Sequence, residues 1–420
     1  MRTGHQASTT PAGPVAGTAR RLPAGTLALL AAAVFAAVST EVMPVGLLPQ
    51  LAAAFAVPED RIGWWMSAYA LVVALGAVPV TALLAHRSPR GVLVALLLVY
   101  ALANGLVVLA GSTGGFALAL AARLLGGLAH AGLFSVAVAT AVAVSPPGRS
   151  GRAVALVNTG ITLALALGVP LGTAAGAAWG WRWAFAATTG VLLLLAAAAA
   201  VLVPARPPAT PPVPGPRGAT GPRPGRTRAG VLGALRGRPL LLVATTTVVL
   251  TLGHYGAYTY VTPLLLRAGA GQGAVGPALL GYGLASFAGL LLAGATADRH
   301  PLAALRAAIA VIAACLLALG PASGHTAATV AVVVLWGAAF GALPSLLQTA
   351  ALRASDVPGA APAVVNSTFN VGIAVGAWAG GRALLGGGPV LLTAGCAALV
   401  LLALATTFLR PGARRGRAGA

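Results

Sequence analysis

Long apolar runs, almost free of charge, divide this chain and dictate its fold class. Twelve such stretches lie near residues 25–49, 62–85, 91–111, 115–144, 153–178, 183–203, 239–265, 275–297, 302–322, 326–352, 360–386 and 388–409. Each has roughly the 20 mostly apolar residues a helix needs to cross a bilayer. In lipid a spanning segment must satisfy its own backbone hydrogen bonds, so these runs predict helices. Charged residues make up 7% of the chain, against about 25% in a soluble domain. Its 56 glycines and 30 prolines suit spanning helices, where small residues allow close backbone approach and kinks are tolerated. The polar stretch 1–23 is followed by an apolar run too long for a signal-peptide core, which predicts a retained first helix.

All 26 basic residues are arginine, and the net charge is +21. That excess does not point to nucleic acid, because the arginines sit between apolar runs and form no compact basic domain. With both termini in the cytoplasm, twenty-one arginines fall on the cytoplasmic side and four (Arg61, Arg182, Arg267, Arg382) on the outer side. This is the bias that sets the orientation of membrane proteins. Arg123 is left inside a run.

Residues 204–238 carry nine prolines and seven arginines without apolar periodicity, the composition of an extended linker. The expected organisation is a cytoplasmic tail at 1–24, a six-helix half at 25–203, the linker, a second six-helix half at 239–409, and a tail at 410–420. The halves repeat weakly. Val157-Asn158-Thr159 matches Val365-Asn366-Ser367 at an offset of 208, and Gly168 and Gly172 match Gly376 and Gly380. Pro49 lies opposite Pro263 at an offset of 214. Six plus six helices with a central linker is a parallel-repeat plan that places a substrate site at the repeat interface.

Only five acids occur, and Glu41 alone lies inside an apolar run. A carboxylate at membrane depth costs about 2.5–3.5 kcal/mol on insertion scales and marks a functional site by default. Burial disfavours the charged form of an acid. Such a group can hold a proton in one state and release it when a cavity opens to water. Pro44, Gly46 and Pro49 follow it and are expected to bend or thin the helix.

Six segments resemble the drug:proton antiporter branch of the major facilitator superfamily, near its arabinose-efflux-like and actinobacterial chloramphenicol-exporter-like members. They are TEVMPVGLLP (40–49), ARLLGGLAHAGLF (122–134), GRAVALVNTGITLALALGVPLG (151–172), GWRWAF (180–185), YTYVTPLL (258–265) and GATADR (294–299). The resemblance implies an all-α membrane protein with the major facilitator fold, twelve transmembrane helices in two six-helix halves. It implies proton coupling at Glu41 and at Arg123 in the fourth helix. It also implies an exporter motif at Gly160, Gly168, Pro170 and Gly172, and a loop motif at Gly294, Asp298 and Arg299. In that loop motif the acid can meet a helix N-terminus. The matching first-half stretch, Thr81 to Arg87, lacks both the glycine and the acid.

Polar and aromatic residues at depth supply candidates for the substrate cavity: Trp65, Tyr69, His130, Asn158, His254, Tyr258, Gln348, Asn366 and Asn370, with Trp64, Asn104, Tyr255 and Tyr260 beside them. Trp64 and Trp65 equally suit interface anchoring, and either histidine suits helix packing. Asn366 and Asn370 share a helix face. Cys315 and Cys396 lie in apolar runs with no disulfide or metal-ligand spacing. The sequence holds no phosphate loop and no nucleophile constellation, so the reading is not an enzyme and calls for no cofactor. The expectation is a monomeric multi-pass protein of the bacterial plasma membrane, its partners a small-molecule substrate, protons and the lipid bilayer, with no nucleic acid. It would export a small amphipathic compound (a drug, sugar or metabolite) against protons by alternating access. A proton-coupled nutrient importer and a transport-inactive sensor of the same fold stay open. A sensor need not retain a costly buried acid.

Overall fold

Apolar runs that must close their own hydrogen bonds become helices, and the described residues are helical throughout, joined by short turns. The computed structural model of the chain describes residues 22–84, 87–113, 115–146, 149–205, 237–296, 300–320, 325–355 and 360–409. Most of the central linker, most of the N-terminal tail, the C-terminal tail 410–420 and the pair Asp298 and Arg299 lie outside those residues.

The helices are α1 (Ala24–Val42), α2 (Pro44–Ala54), α3 (Glu59–Leu84), α4 (Pro89–Thr113), α5 (Phe116–Val144), α6 (Ser150–Leu163), α7 (Val169–Trp179) and α8 (Trp181–Leu202). After the linker come α9 (Arg238–Tyr258), α10 (Val261–Arg267), α11 (Gln272–Thr296), α12 (Pro301–Leu319), α13 (Thr326–Ala354) and α14 (Ala360–Thr406). Several form composite rods. α1 and α2 meet at Met43, α6 and α7 are joined by a π turn at Ala164–Gly168, and α9 runs on into α10. α14 divides in two at Gly387 and Gly388, the latter at φ +67°. Among the described residues ten segments are long and apolar enough to cross a membrane. With α3 (26 residues) and the division of α14, the described residues make twelve rods.

Prolines set the breaks. A proline has no N–H, so the carbonyl four residues earlier loses its helical partner. Pro44 begins α2 directly after the break at Met43, and Pro263 sits in the first turn of α10 after the break at Thr259 and Tyr260. Several threonines satisfy themselves on their own helix backbone. Thr140, Thr173, Thr246, Thr247, Thr251 and Thr259 each donate to the carbonyl four residues back, which hides a hydroxyl in an apolar setting. Large apolar residues such as Leu75, Leu194 and Val201 are exposed on the outside of the bundle, the surface a bilayer would cover.

The first eight helices pack on one another, as do the last six, and the two halves meet along α3 with α14 and along α7 and the π turn with α11. Successive rods run antiparallel, so the turns at 55–58, 179–181, 268–271 and 387–388 lie at one end of the bundle. The halves are closely joined at this end. A Cβ at Gly63 of α3 would overlap the Tyr260 hydroxyl, and one at Gly381 of α14 would come within 2.8 Å of Asp60 Cβ. Glu59 and Arg267 face each other across this end at 3.8 Å.

Candidate functional site

The break after Glu41 builds the site. Pro44 cannot donate to the Thr40 carbonyl, its partner in an unbroken helix. Arg123 Nη1 donates to that carbonyl at 3.1 Å, and Nη2 donates to the Glu41 carbonyl at 3.2 Å. The guanidinium is 2% exposed, and its forked donors fit two adjacent acceptors. Arg123 is therefore held by backbone carbonyls of the first rod. Its plane lies over the Tyr69 ring, 4.5 Å from the centroid, an attractive placement for a cation. Gly126 and Gly127 permit this, because a Cβ at Gly127 would press to 2.9 Å on the Tyr69 carbonyl. The fourth-helix glycines thus bring α3 against α5.

The Glu41 side chain looks the other way. Its Oε2 lies 3.8 Å from His130 Nε2, with the two side chains 12% and 15% exposed. The far nitrogen of that ring, Nδ1, is 2.9 Å from the Tyr69 hydroxyl and 3.3 Å from the Tyr100 hydroxyl. The two tyrosine hydroxyls also touch, and Tyr100 donates to the Ala37 carbonyl at 3.0 Å. Asn104 donates to the Tyr100 carbonyl one turn away. The result is a polar path of Glu41, His130, Tyr69 and Tyr100, walled by apolar helices, with a 3.8 Å gap between the carboxylate and the imidazole. A path of this kind can hold a proton at the carboxyl, pass it to an imidazole and keep the ring oriented while it does so.

The glycine motif of the fifth rod presses that rod onto the first. A Cβ at Gly160 would overlap the Ala31 carbonyl, one at Gly168 would crowd Ser39, and one at Gly172 would overlap Met43. Gly46 packs on Thr173 in the same way. Pro170 starts α7 after the π turn, a helical irregularity often found at functional sites.

His254 is not part of the Glu41 path. It is fully buried, accepts from Trp336 Nε1 at Nδ1 (3.1 Å), and stacks on Phe340 at 3.6 Å. Tyr258 stacks over both His254 and Tyr282, and Tyr255 meets Phe340 edge-on. The second half therefore contributes an aromatic wall where the first contributes a polar path. Trp65 stands apart from both. It is buried with Phe55 and Phe116 near the closed end. Gln348 is half-buried, Asn158 and Asn366 are exposed, and Asn370 is buried and donates to the Asn366 carbonyl. None of these four touches the Glu41 path in the described contacts. Gly294 is exposed at the end of α11. Among the described residues no group of three or more His, Cys, Asp or Glu could hold a metal ion.

Sequence reasoning missed Tyr100, Tyr282, Trp336 and Phe340. Tyr100 had one available signal, its place one turn before Asn104.

Residues 29–377 match the Major Facilitator Superfamily. The chain is 32% identical over 364 residues to the "Inner membrane transport protein YdhP" of Escherichia coli, covering 86% of this chain and 89% of that protein. Two solved structures share the fold. One is a bacterial homolog of the human lysosomal transporter Spinster, in an inward-facing and unoccupied conformation, with a TM-score of 0.66 at 15% identity over 93% of this chain and 97% of that one. The other is the human organic anion transporter MFSD10 (TETRAN), with a TM-score of 0.58 at 17% identity over 92% of this chain and 100% of that one.

Proposed function

The chain belongs to the major facilitator superfamily, and from that premise we propose that it is a drug:proton antiporter, exporting a small amphipathic compound across a bacterial plasma membrane. It is a multi-pass membrane protein of a transporter family, not an enzyme. The proposed units are the six-helix halves at 25–203 and 239–409, joined by the cytoplasmic linker 204–238, working as a monomer with both termini in the cytoplasm. The arginine bias then puts the closely joined end outside, so the substrate site opens toward the cytoplasm in this arrangement.

One observation carries the reading. The single acid at membrane depth, Glu41, faces His130 across 3.8 Å inside the bundle. Glu41 holds the exchanged proton, and His130, oriented by Tyr69 and Tyr100, is its neighbour in the transfer. Arg123 fixes the backbone on which Glu41 stands. The substrate lies between this path and the aromatic wall of His254, Tyr255 and Tyr258, and the halves rock about it. The glycine contacts of Gly160, Gly168 and Gly172 support the lean toward export.

A susceptibility panel in an efflux-deficient bacterial host selects the compound class. Adding that compound to purified protein in detergent should then release protons from the wild type and not from Glu41→Gln. Glutamine keeps the shape of the protonated acid, so a neutral compound should still bind. Equal release from both proteins refutes the assignment.

A further inference from the structure

We propose that Thr262 latches the closed end of the transporter by donating its hydroxyl to the Val45 carbonyl across the seam between the halves. The proposal rests on the alternating-access reading and adds to it a named contact that holds one state. Thr262 Oγ1 donates to the Val45 carbonyl at 2.8 Å, and both groups are buried.

The acceptor exists because of Pro49. In an unbroken helix the Val45 carbonyl would take the N–H of residue 49, and proline has none. The donor exists because of the other break. Thr262 stands in the first turn of α10, just after the chain departs from helix at Thr259 and Tyr260. The carbonyl four residues back belongs to Tyr258, on the far side of that break. Thr246, Thr247 and Thr251 of α9 spend their hydroxyls on their own helix backbone, whereas Thr262 spends its own on the other half. Each half thus exposes one group where its first rod is broken, and the two groups meet. A second close contact lies along the seam, where Gly283 of α11 packs directly on the Ala166 carbonyl inside the π turn, with no room for a Cβ.

When the halves separate at this end, both groups must find water. A buried carbonyl left without a donor is costly, so the bond favours the closed state.

The test uses full-length protein in nanodiscs, with Cys315 and Cys396 replaced by alanine. Spin labels are attached at Pro58→Cys and Ala274→Cys, exposed sites on opposite halves of this end. Pulsed electron resonance reads short (closed) and long (open) distances. Thr262→Val, which keeps the branched shape and loses the donor, should raise the open-to-closed ratio roughly three- to tenfold, the worth of one hydrogen bond. Thr262→Ser should stay at the wild-type ratio. Pro49→Ala supplies the N–H that Val45 lacks, so Thr262→Val added to it should change nothing further.

An unchanged ratio in Thr262→Val, including a distribution that stays wholly closed, overturns the latch. So does an equal effect in both Pro49 backgrounds. Gly63→Leu separates the two levels of the argument, because a side chain there cannot fit the seam and must prop it open. If that variant, eluting as a single species, also keeps the short distance, the rocking reading falls and the latch with it.

Discussion

Arg123 shows how much one residue can settle. Its two terminal nitrogens bind the carbonyls of Thr40 and Glu41, and its charge lies over Tyr69. A lysine keeps the charge and loses the fork. Arg123→Lys should therefore leave one buried carbonyl unpaired, costing about 1–3 kcal/mol. The expected readout is a lower Tm in detergent together with loss of transport, and an unchanged Tm would show that the fork is dispensable. Tyr69→Phe tests the other branch. It removes the hydroxyl that meets His130 Nδ1 and keeps the ring under Arg123. It should slow substrate-induced proton release while Tm changes little; a release rate equal to wild type would remove Tyr69 from the path. At this scale the sequence was legible where a residue broke the composition of its surroundings. An acid and an arginine inside apolar runs announce themselves, as Glu41 and Arg123 did. Tyr100 did not, because a tyrosine in a spanning run is ordinary, and its importance comes from His130 on another helix. Backbone acceptors are silent in a sequence, so the carbonyls that hold Arg123 were not legible there.

Among the elements, the prolines matter most. Pro44, Pro49, Pro170 and Pro263 each interrupt a rod that faces the other half or the Glu41 path, and each interruption lies beside a polar or close contact. The runs themselves were readable from apolar length, and so were their irregularities, since proline and glycine mark them. What those irregularities bind was not readable, because the partner lies on another rod. The same holds for Trp65. Its sequence neighbours suggested the cavity or an interface, and the fold gives it to Phe55 and Phe116 instead. Pro44→Ala would supply the missing N–H and straighten the first rod. The Thr40 carbonyl would then no longer need Arg123. The variant should keep or raise its Tm, as replacements that mend a helix do, while proton release falls at least several-fold. Retained coupling with a continuous first rod would show that the break is not needed for function.

For the whole molecule, the two halves are built from one plan and given unlike interiors. The first half holds a polar path with an acid, an arginine and a histidine, and the second holds stacked aromatic rings. In the proposed antiporter such a pair would grip an amphipathic compound, the polar side setting the proton balance and the aromatic side supplying area without charge. The repeat was visible in the sequence through Asn158 and Asn366 and through Pro49 and Pro263, yet the difference between the interiors was not, because it arises from side chains on many rods converging. The proposed sidedness rests on charge. Among the described residues Arg87, Arg90, Arg149, Arg152, Arg306 and Arg353 lie toward the end opposite Thr262 and Gly63, and positively charged turns favour the cytoplasm. A reporter active only in the periplasm, fused after Ala420, should stay silent, and the same reporter inserted in the turn at 268–271 should be active. The inserted fusion must first be shown to reach the membrane at the wild-type level. Activity at Ala420 with silence at 268–271 would invert the molecule, turn the closed end toward the cytoplasm, and make the arrangement described here the outward-facing one.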